Sequence, residues 1–370
     1  MSLKTPDVVV AGAGIVGLSA ACELSRRGLR CLVLDRGRVG REASHAAGGI
    51  LSPQGEARPG SPLLPLALLG RDRHVRLADE LLELTGISVE HQKQGVLSIA
   101  FSAEEESALR ELTGAQRGLG LRAEMMSREE VRRIEPSVHD ETCAAALYPD
   151  DHRVNNRRLL DALRTLALAR GVELREFTAV RSVETTEGRL VAVRTDGGRI
   201  ETRSLVNALG AWAGQIDGLA EALSVRPVKG HMMALVDGPA VQHVLYGRHG
   251  YIVPRNDGRL IVGSTMEEAG FDARITVDGL ARLFEIARAI SPATGAAAVA
   301  DTWTGFRPAT SDGLPVIGHS RTEGVVIAGG LFRNGILLGP LVGELAAALV
   351  IGETPTVDIS AFDPARFSER

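Results

Sequence analysis

Cysteine is almost missing: Cys22, Cys31 and Cys143 are the three in 370 residues. They make no CxxC pair and show no metal-ligand spacing, which excludes a disulfide scaffold, a paired-thiol redox motif and a cysteine-built zinc site. The odd count, with no charged n-region and no cleavage site ahead of the first apolar stretch, gives a reducing cytoplasm as the expected compartment. No basic stripe accompanies the net charge of −4, so nucleic acid is not an expected partner. No segment recurs with a period of about 20–50 residues, which excludes a solenoid or propeller. Long uninterrupted apolar runs are missing too. The stretch 8–24 contains three glycines and Glu23, so it reads as a strand and a helix, and no membrane span is expected.

What is present is glycine. The 42 glycines in 370 residues are about 11%, against a usual ~7%. They cluster in apolar company (GAGIVG, AAGGIL, AGGL) and not in polar tracts. That placement fits backbone packed close to a ligand better than flexible linker. The length exceeds one simple core, so two lobes are expected, and the 44% hydrophobic and 24% charged shares are ordinary for a globular protein.

DVVVAGAGIVGLSAACELSRRGLRCLVLD, residues 7–35, is the most legible stretch. Val8, Val9 and Val10 form a β-branched run of the kind buried on both faces. Gly12, Gly14 and Gly17 then give G-x-G-x-x-G, and Ile15, Leu18, Ala21 and Leu24 keep helical spacing behind it. Arg26 and Arg27 place cations at the helix C-terminus and Gly28 ends it. Residues 30–34 read as a second strand closed by Asp35, about 20 residues after the glycines, where a ribose-binding acid belongs. Gly12 allows the tight turn, Gly14 the approach of backbone to a pyrophosphate, and Gly17 close helix–strand packing. The free N–H groups of Ala13, Gly14, Ile15 and Val16 at the helix start face the phosphates. A dinucleotide is the expected ligand. The motif alone does not separate FAD from NAD; Asp35 disfavours NADP.

Residues 36–53, RGRVGREASHAAGGILSP, depart from an ordinary NAD domain, which would proceed to a third strand. Ala46, Ala47, Gly48 and Gly49 lie where side chains are not tolerated, as under a long flat ligand, and Ile50 and Leu51 argue against full exposure. Farther on, helices are expected over 62–85, 103–119, 156–170 and 278–291. Strands are expected over 95–101, 172–174, 180–183, 190–195, 205–210, 225–236 and 251–264, with Asn256-Asp257-Gly258 turning a hairpin. The chain leaves a parallel α/β unit twice and returns twice.

Near the C-terminus, AGGLFRNGILLGP (328–340) reads as a buried strand turning into a buried helix, yet Arg333 and Asn334 interrupt it. A buried guanidinium needs a partner. With GFRPATSDGLPVIG (305–318), HGYIVPRNDGRLIVGSTM (249–266), VNALGAWAG (206–214) and the two N-terminal blocks, this stretch resembles the D-amino-acid-oxidase-like flavoproteins, and most closely the bacterial glycine oxidases of thiamine biosynthesis.

The resemblance covers nearly the whole chain and implies FAD. It implies that Arg307 holds a substrate carboxylate, that Tyr251 supports the same group, that Met266 lines the pocket near the flavin, and that Arg333 faces a small anionic substrate. Asn334, Gly335, Ile336 and Leu337 would bring backbone to the flavin pyrimidine at a helix N-terminus. The implied cofactor contacts also include Arg36, Ser44, His45, Leu51, Val180, Ala208, Gly210, Trp212 and Gly330. Two positions depart from the pattern. His231 stands where the family usually has glutamine, in PVKGH. His45 stands where close relatives often have tryptophan; some dehydrogenases of the superfamily carry FAD covalently on the histidine of a WHAAG segment, but SHAAGG is shifted by one residue against the glycine-oxidase pattern, and non-covalent FAD is expected here. An ion pair with Asp312 is the structural alternative for Arg307, and core filling the alternative for Met266.

The expected fold is α/β plus α+β: a Rossmann-like FAD-binding domain (1–86, 146–222 and 300–370) with a discontinuous antiparallel-sheet substrate domain (87–145 and 223–299). The expected activity is oxidative deamination of glycine or a small relative, with O2 as acceptor, by a homo-oligomer. Sarcosine oxidation and D-amino-acid dehydrogenation are the neighbouring readings. A dinucleotide-sensing module without catalysis is the distant one.

Overall fold

A computed structural model of the chain describes residues 5–219 and 223–367. A six-stranded sheet takes the order Val316–His319, Val325–Gly329, Leu205–Asn207, Val8–Ala11, Cys31–Leu34, Glu173–Arg175. All neighbours are parallel except the antiparallel first pair. The strand Val8–Ala11 is fully buried, as its run of β-branched residues dictates. One face of the sheet carries the helices Ile15–Arg26, Leu63–Thr85, Asn156–Ala169 and Gly335–Val350, whose apolar residues form one continuous core. The other face is covered by a meander of Val180–Thr186, Arg189–Thr195 and Gly198–Glu201.

A second sheet of eight strands runs Ala298–Thr310, Val225–Val236, Leu260–Gly263, Gly250–Pro254, Val244–Gly247, Val96–Ala100, Ala144–Tyr148, Glu124–Ser127. The helix Val277–Ile290 packs on one face, against Met233, Ile252 and Val262. The alternate residues Met232, Val253 and Ile261 form the opposite core, beside Tyr246 and Tyr251. This is the period of two expected of a sheet covered on one side and lining a cleft on the other.

The α/β-plus-α+β character agrees with the expectation from sequence, and the long helices agree to within a residue or two at their ends. The strand Ala298–Thr310 does not lie where it was expected. It pairs with Val225–Val236 from Val225 opposite Thr310 to Val236 opposite Ala298, so residues 300–310 belong to the antiparallel sheet and not to the parallel one. Its partner is far away in sequence, and its own residues do not show which sheet it will join. The expected change of lobe at residue 146 likewise falls inside the strand Ala144–Tyr148.

Among the described residues, one helical stretch, Phe332–Val350, is long and apolar enough to cross a membrane, but 78% of it is buried inside the protein. Its apolarity comes from being packed by neighbours on several sides. Gly339 and Gly343 bring it against the first helix: a Cβ at Gly343 would stand 2.6 Å from Ser19 Cβ and 2.8 Å from the Val16 carbonyl oxygen. Gly343→Val is therefore expected to force these two helices apart. Overpacking of this kind costs about 1–3 kcal/mol. Urea unfolding should show a lower midpoint with an unchanged slope; a variant as stable as wild type would mean that the contact is looser than drawn.

Candidate active site

A cleft lined by residues of both sheets lies between them. Its floor is made by residues just past the ends of parallel strands: Gly12, Asp35, Ala208 and Leu331. That is where open α/β sheets bind ligands. Gly12 has φ +100°, and a Cβ there would strike the Ala208 carbonyl oxygen at 2.4 Å. No side chain caps the first helix at Gly14, while Ser44 Oγ accepts from the Ile15 N–H at 3.1 Å. The Ala13 and Ile15 N–H groups expected to face phosphates are thus taken by Asp35 and Ser44, while Gly14 and Val16 line the cleft at the positive end of the helix, where a pyrophosphate would lie.

Asp35 is buried and ties this loop down. Its carboxylate accepts from the Ala13 N–H at 2.7 Å and from the Gly37 N–H at 2.8 Å. Arg36 lies over the Trp212 ring, 4.2 Å from its centroid, and both line the cleft. The small-residue run has two causes. Ala46, Ala47, Gly48 and Gly49 line the cleft. They are also pressed by protein: a Cβ at Gly49 would meet the Val154 carbonyl oxygen at 2.1 Å, and one at Gly305 would meet Ala46 Cβ at 2.5 Å. Arg255, of the YIVPR block, pins the turn by donating to the Gly48 and Val154 carbonyls. Burial lowers this guanidinium to about 10.

At the other end of the cleft stands Arg307. Its strand position is opposite Val228, and its guanidinium covers Gly230, where a Cβ would lie 2.4 Å from Nη1. It donates to the Thr265 carbonyl at 3.2 Å and to Ser264 Oγ. Burial, with Arg333 nearby, holds it below its ordinary pKa. Asp312 is not its partner; Asp312 pairs with Arg366. The Tyr251 hydroxyl contacts Met232 Sδ at 3.6 Å, and its ring meets Tyr246 edge-on at 5.8 Å. His231 is fully buried behind this wall. Its Nε2 accepts from the Thr276 N–H, so the proton is on Nδ1, which donates to Glu267 at 2.8 Å. The His231 N–H donates to Thr265 Oγ1 at 2.9 Å, so this histidine fixes the segment that receives Arg307.

Arg333 has a carboxylate partner that sequence reasoning missed. Its Nη2 donates to Glu56 Oε1 at 2.8 Å, and the Tyr246 hydroxyl donates to the same oxygen at 2.7 Å. Burial works against the Arg333 charge, but Glu56 and Tyr246 outweigh it and raise its pKa. Glu56 ends a short helix, Pro53–Glu56, capped by Ser52, whose Oγ accepts from the Gly55 N–H. Beneath it, Asp151 is fully buried and accepts from Ser52 Oγ and from the Gln54 N–H. Gln54 and Gln116 exchange further hydrogen bonds. Burial pushes the Asp151 carboxyl up to about 7, with Arg71 the cation nearest it at 3.9 Å.

The expected site residues thus divide. Arg307, Tyr251, Arg333, Gly12, Gly14, Ile15, Val16, Asp35, Arg36, Ser44, Ala46–Gly49, Ala208, Gly210, Trp212, Asn334, Gly335 and Ile336 line the one cleft. Met266 does not: its side chain is 60% exposed outside it. Ser264 lines the cleft, and Thr265 is turned toward His231 and Glu267. Met232, paired with Gly263 on the adjacent strand, occupies the wall instead. Ala13, Gly17, Leu51, Gly330 and Leu337 stand behind the lining, as does Val180, in the core of the meander. The His45 ring is also outside the lining, against Arg41 at 2.8 Å; burial, Arg157 and Arg41 depress it to about 4.

Residues 7–349 match the FAD dependent oxidoreductase (DAO) family. The chain is 35% identical over 365 residues to a glycine oxidase of Geobacillus kaustophilus, covering 97% of each. It is 36% identical to a bifunctional ThiO/ThiG protein of Synechocystis, covering 98% of this chain and 54% of that one, so it spans about half the length of that relative. The crystal structure of glycine oxidase from Geobacillus kaustophilus superposes with a TM-score of 0.93 at 34% identity, covering 98% of both chains.

Asp151 generates a pH prediction. Its pKa is raised from 3.8 to about 7, so between these values the folded protein keeps a proton that the unfolded chain has released. This stability is present in full below pH ~4 and is lost as pH rises through 7. Asp151→Asn is expected to remove the decline. The difference in melting temperature between variant and wild type should move in the variant's favour from pH 4 to pH 8. A difference independent of pH would mean that Asp151 is ionised throughout.

Proposed function

The chain belongs to the FAD dependent oxidoreductase (DAO) family, and from that premise we propose that it oxidises glycine or a similarly small amino acid. The glycine loop, with Gly12 and Gly14 stripped of side chains and an open helix start, fits the pyrophosphate of FAD, and Asp35 and Arg36 fit its ribose and adenine side. The start of the helix Gly335–Val350 would add backbone N–H groups and a positive dipole end at the other side. FAD, when bound, supplies the two-electron acceptor for the substrate Cα–H bond.

The chain's own part is to bind, orient and dry. Arg307 is the observation on which the substrate rests. A half-buried guanidinium, spread over a residue without a side chain and lining the cleft, suits a carboxylate held by its planar fork. Anchoring one end of the substrate by two parallel hydrogen bonds fixes where Cα points. The positive charge of Arg307 also disfavours an ammonium beside it, which helps release the amine proton before oxidation. Tyr246, Tyr251 and Met232 crowd the wall around the Cα and favour a small side chain. Loss of two electrons and two protons from glycine leaves the imine, and water converts it to glyoxylate and ammonia; O2 would then take up the electrons as H2O2. The relatives named ThiO and glycine oxidase support a place in thiamine biosynthesis, where the imine is the useful product.

Arg307→Ala tests the assignment. Charge-assisted hydrogen bonds contribute roughly 1.5–3 kcal/mol each, so a bidentate pair contributes about 3–6 kcal/mol. At 1.36 kcal/mol per decade, kcat/KM for glycine should fall on the order of 10²- to 10⁴-fold. Arg307→Lys keeps charge without the fork and should fall less. Flavin content should stay near that of wild type in both. Undiminished glycine turnover by a flavin-loaded Arg307→Ala enzyme would remove the carboxylate anchor from the proposal.

A further inference from the structure

Glu56 has no part in the reaction outlined above, yet it stands in the same cleft, built in with care. Its carboxylate is 14% exposed and is shared between Arg333 and the Tyr246 hydroxyl. The residues under it, Ser52, Gln54, Gln116 and Asp151, are all buried and hydrogen-bonded to one another. This is a fixed counter-ion, not a surface group that swings. Arg333 lines the cleft and keeps 37% of its side chain exposed, so it remains within reach of a ligand.

We propose that Glu56 is a specificity-determining residue that limits this cleft to substrates with a single negative charge. The proposal rests on the reading that Arg307 takes the substrate carboxylate. The charges at this end of the cleft are Arg307 and Arg333, both positive, and Glu56, negative. Tyr246 stays neutral, because burial and the Glu56 carboxylate raise its pKa well above the ordinary value. Asp35, Arg36 and Glu42 belong to the glycine-loop end. The balance is one unit of positive charge, which one carboxylate neutralises. A second carboxylate, such as that of an N-carboxymethyl amino acid, would meet Arg333 already paired and would have to face Glu56 at ion-pair distance. Without the Glu56 charge, Arg333 becomes a second anchor and the cleft suits a dianion.

The test uses the flavin-loaded enzyme and two ligands that carry no amine and so are not deaminated. Methoxyacetate has one carboxylate; oxydiacetate shares the ether and has two. Their dissociation constants are measured by titration calorimetry. Wild type should bind methoxyacetate the more tightly by about tenfold or more. Glu56→Gln, which keeps the shape and an acceptor for Tyr246, should shift the ratio toward oxydiacetate by about tenfold. Adding Arg333→Gln should abolish that gain, assigning it to Arg333. Flavin absorbance and melting temperature check each protein, and Glu56→Ala carries the comparison if the glutamine form loses flavin. A ratio unchanged by either Glu56 substitution, or a wild type that prefers oxydiacetate, overturns the proposal. Absence of methoxyacetate binding to wild type overturns instead the carboxylate reading beneath it.

Discussion

A guanidinium resting on bare backbone governs the antiparallel side of the cleft. Arg307 covers Gly230, and nothing larger than hydrogen can stand at that position without pushing the charge away. Withdrawing a cation even partly from water is costly unless it is hydrogen-bonded, so acceptors are brought to it. The Thr265 carbonyl and the Ser264 hydroxyl serve, and they are in place because Thr265 is bonded to His231 and Glu267. The long pairing of Val225–Val236 with Ala298–Thr310 sets Arg307 two residues along from the glycine on the facing strand. Sheet register, a glycine, a buried histidine and an irregular segment after Gly263 thus meet in one constraint. His231 also accounts for its own departure from the usual glutamine: it reaches Glu267 with one nitrogen and the Thr276 N–H with the other, a span bridged by a neutral imidazole.

The N-terminal unit was legible because its chemistry is local. Glycine spacing, a β-branched strand and an acid about 20 residues on are all read within one short window. The Arg307 and Tyr251 positions were legible through long motif blocks. Met266 was not: it lies past the end of the strand Leu260–Gly263, where the period of two no longer tells which way a side chain points. The strand Ala298–Thr310 was misplaced for a related reason. Its residues fit an antiparallel sheet and a return to the parallel one equally well, and only its partner, some seventy positions earlier, distinguishes them. Glu56 left no signal, since it sits in a polar stretch and meets Arg333 across 277 residues. An arginine that looks anomalous in a buried segment does signal that a partner exists; it does not say where.

The glycine excess, too, has a divided origin. Read from sequence, AAGG suggests a ligand overhead. In the fold, Gly49 yields to the Val154 carbonyl and Gly48 to the Tyr251 ring, while both also face the cleft. The same residues therefore serve protein packing and ligand access. Arg255 is the link between them, since its buried guanidinium holds Gly48 and Val154 together and ties the antiparallel hairpin to the turn on the parallel side.

Those ties explain how two sheets with different tasks share one cleft. The parallel sheet presents strand ends, helix starts and small residues, all backbone features indifferent to what is oxidised. The antiparallel sheet presents side chains: Met232, Tyr246, Tyr251 and Arg307 on one face. Arg333 and Glu56 belong to neither sheet. One opens the last helix and the other closes a short helix anchored on Asp151. Each is held by elements of the parallel side yet faces the antiparallel one. On the proposed function, a change at either would alter what the cleft accepts while leaving the glycine loop, tied to Asp35 and Ser44 by its own hydrogen bonds, as it is. On the same reading, cofactor retention and substrate selection would be separable, because the first would rest largely on the backbone of the glycine loop and the second on charged side chains farther along the cleft.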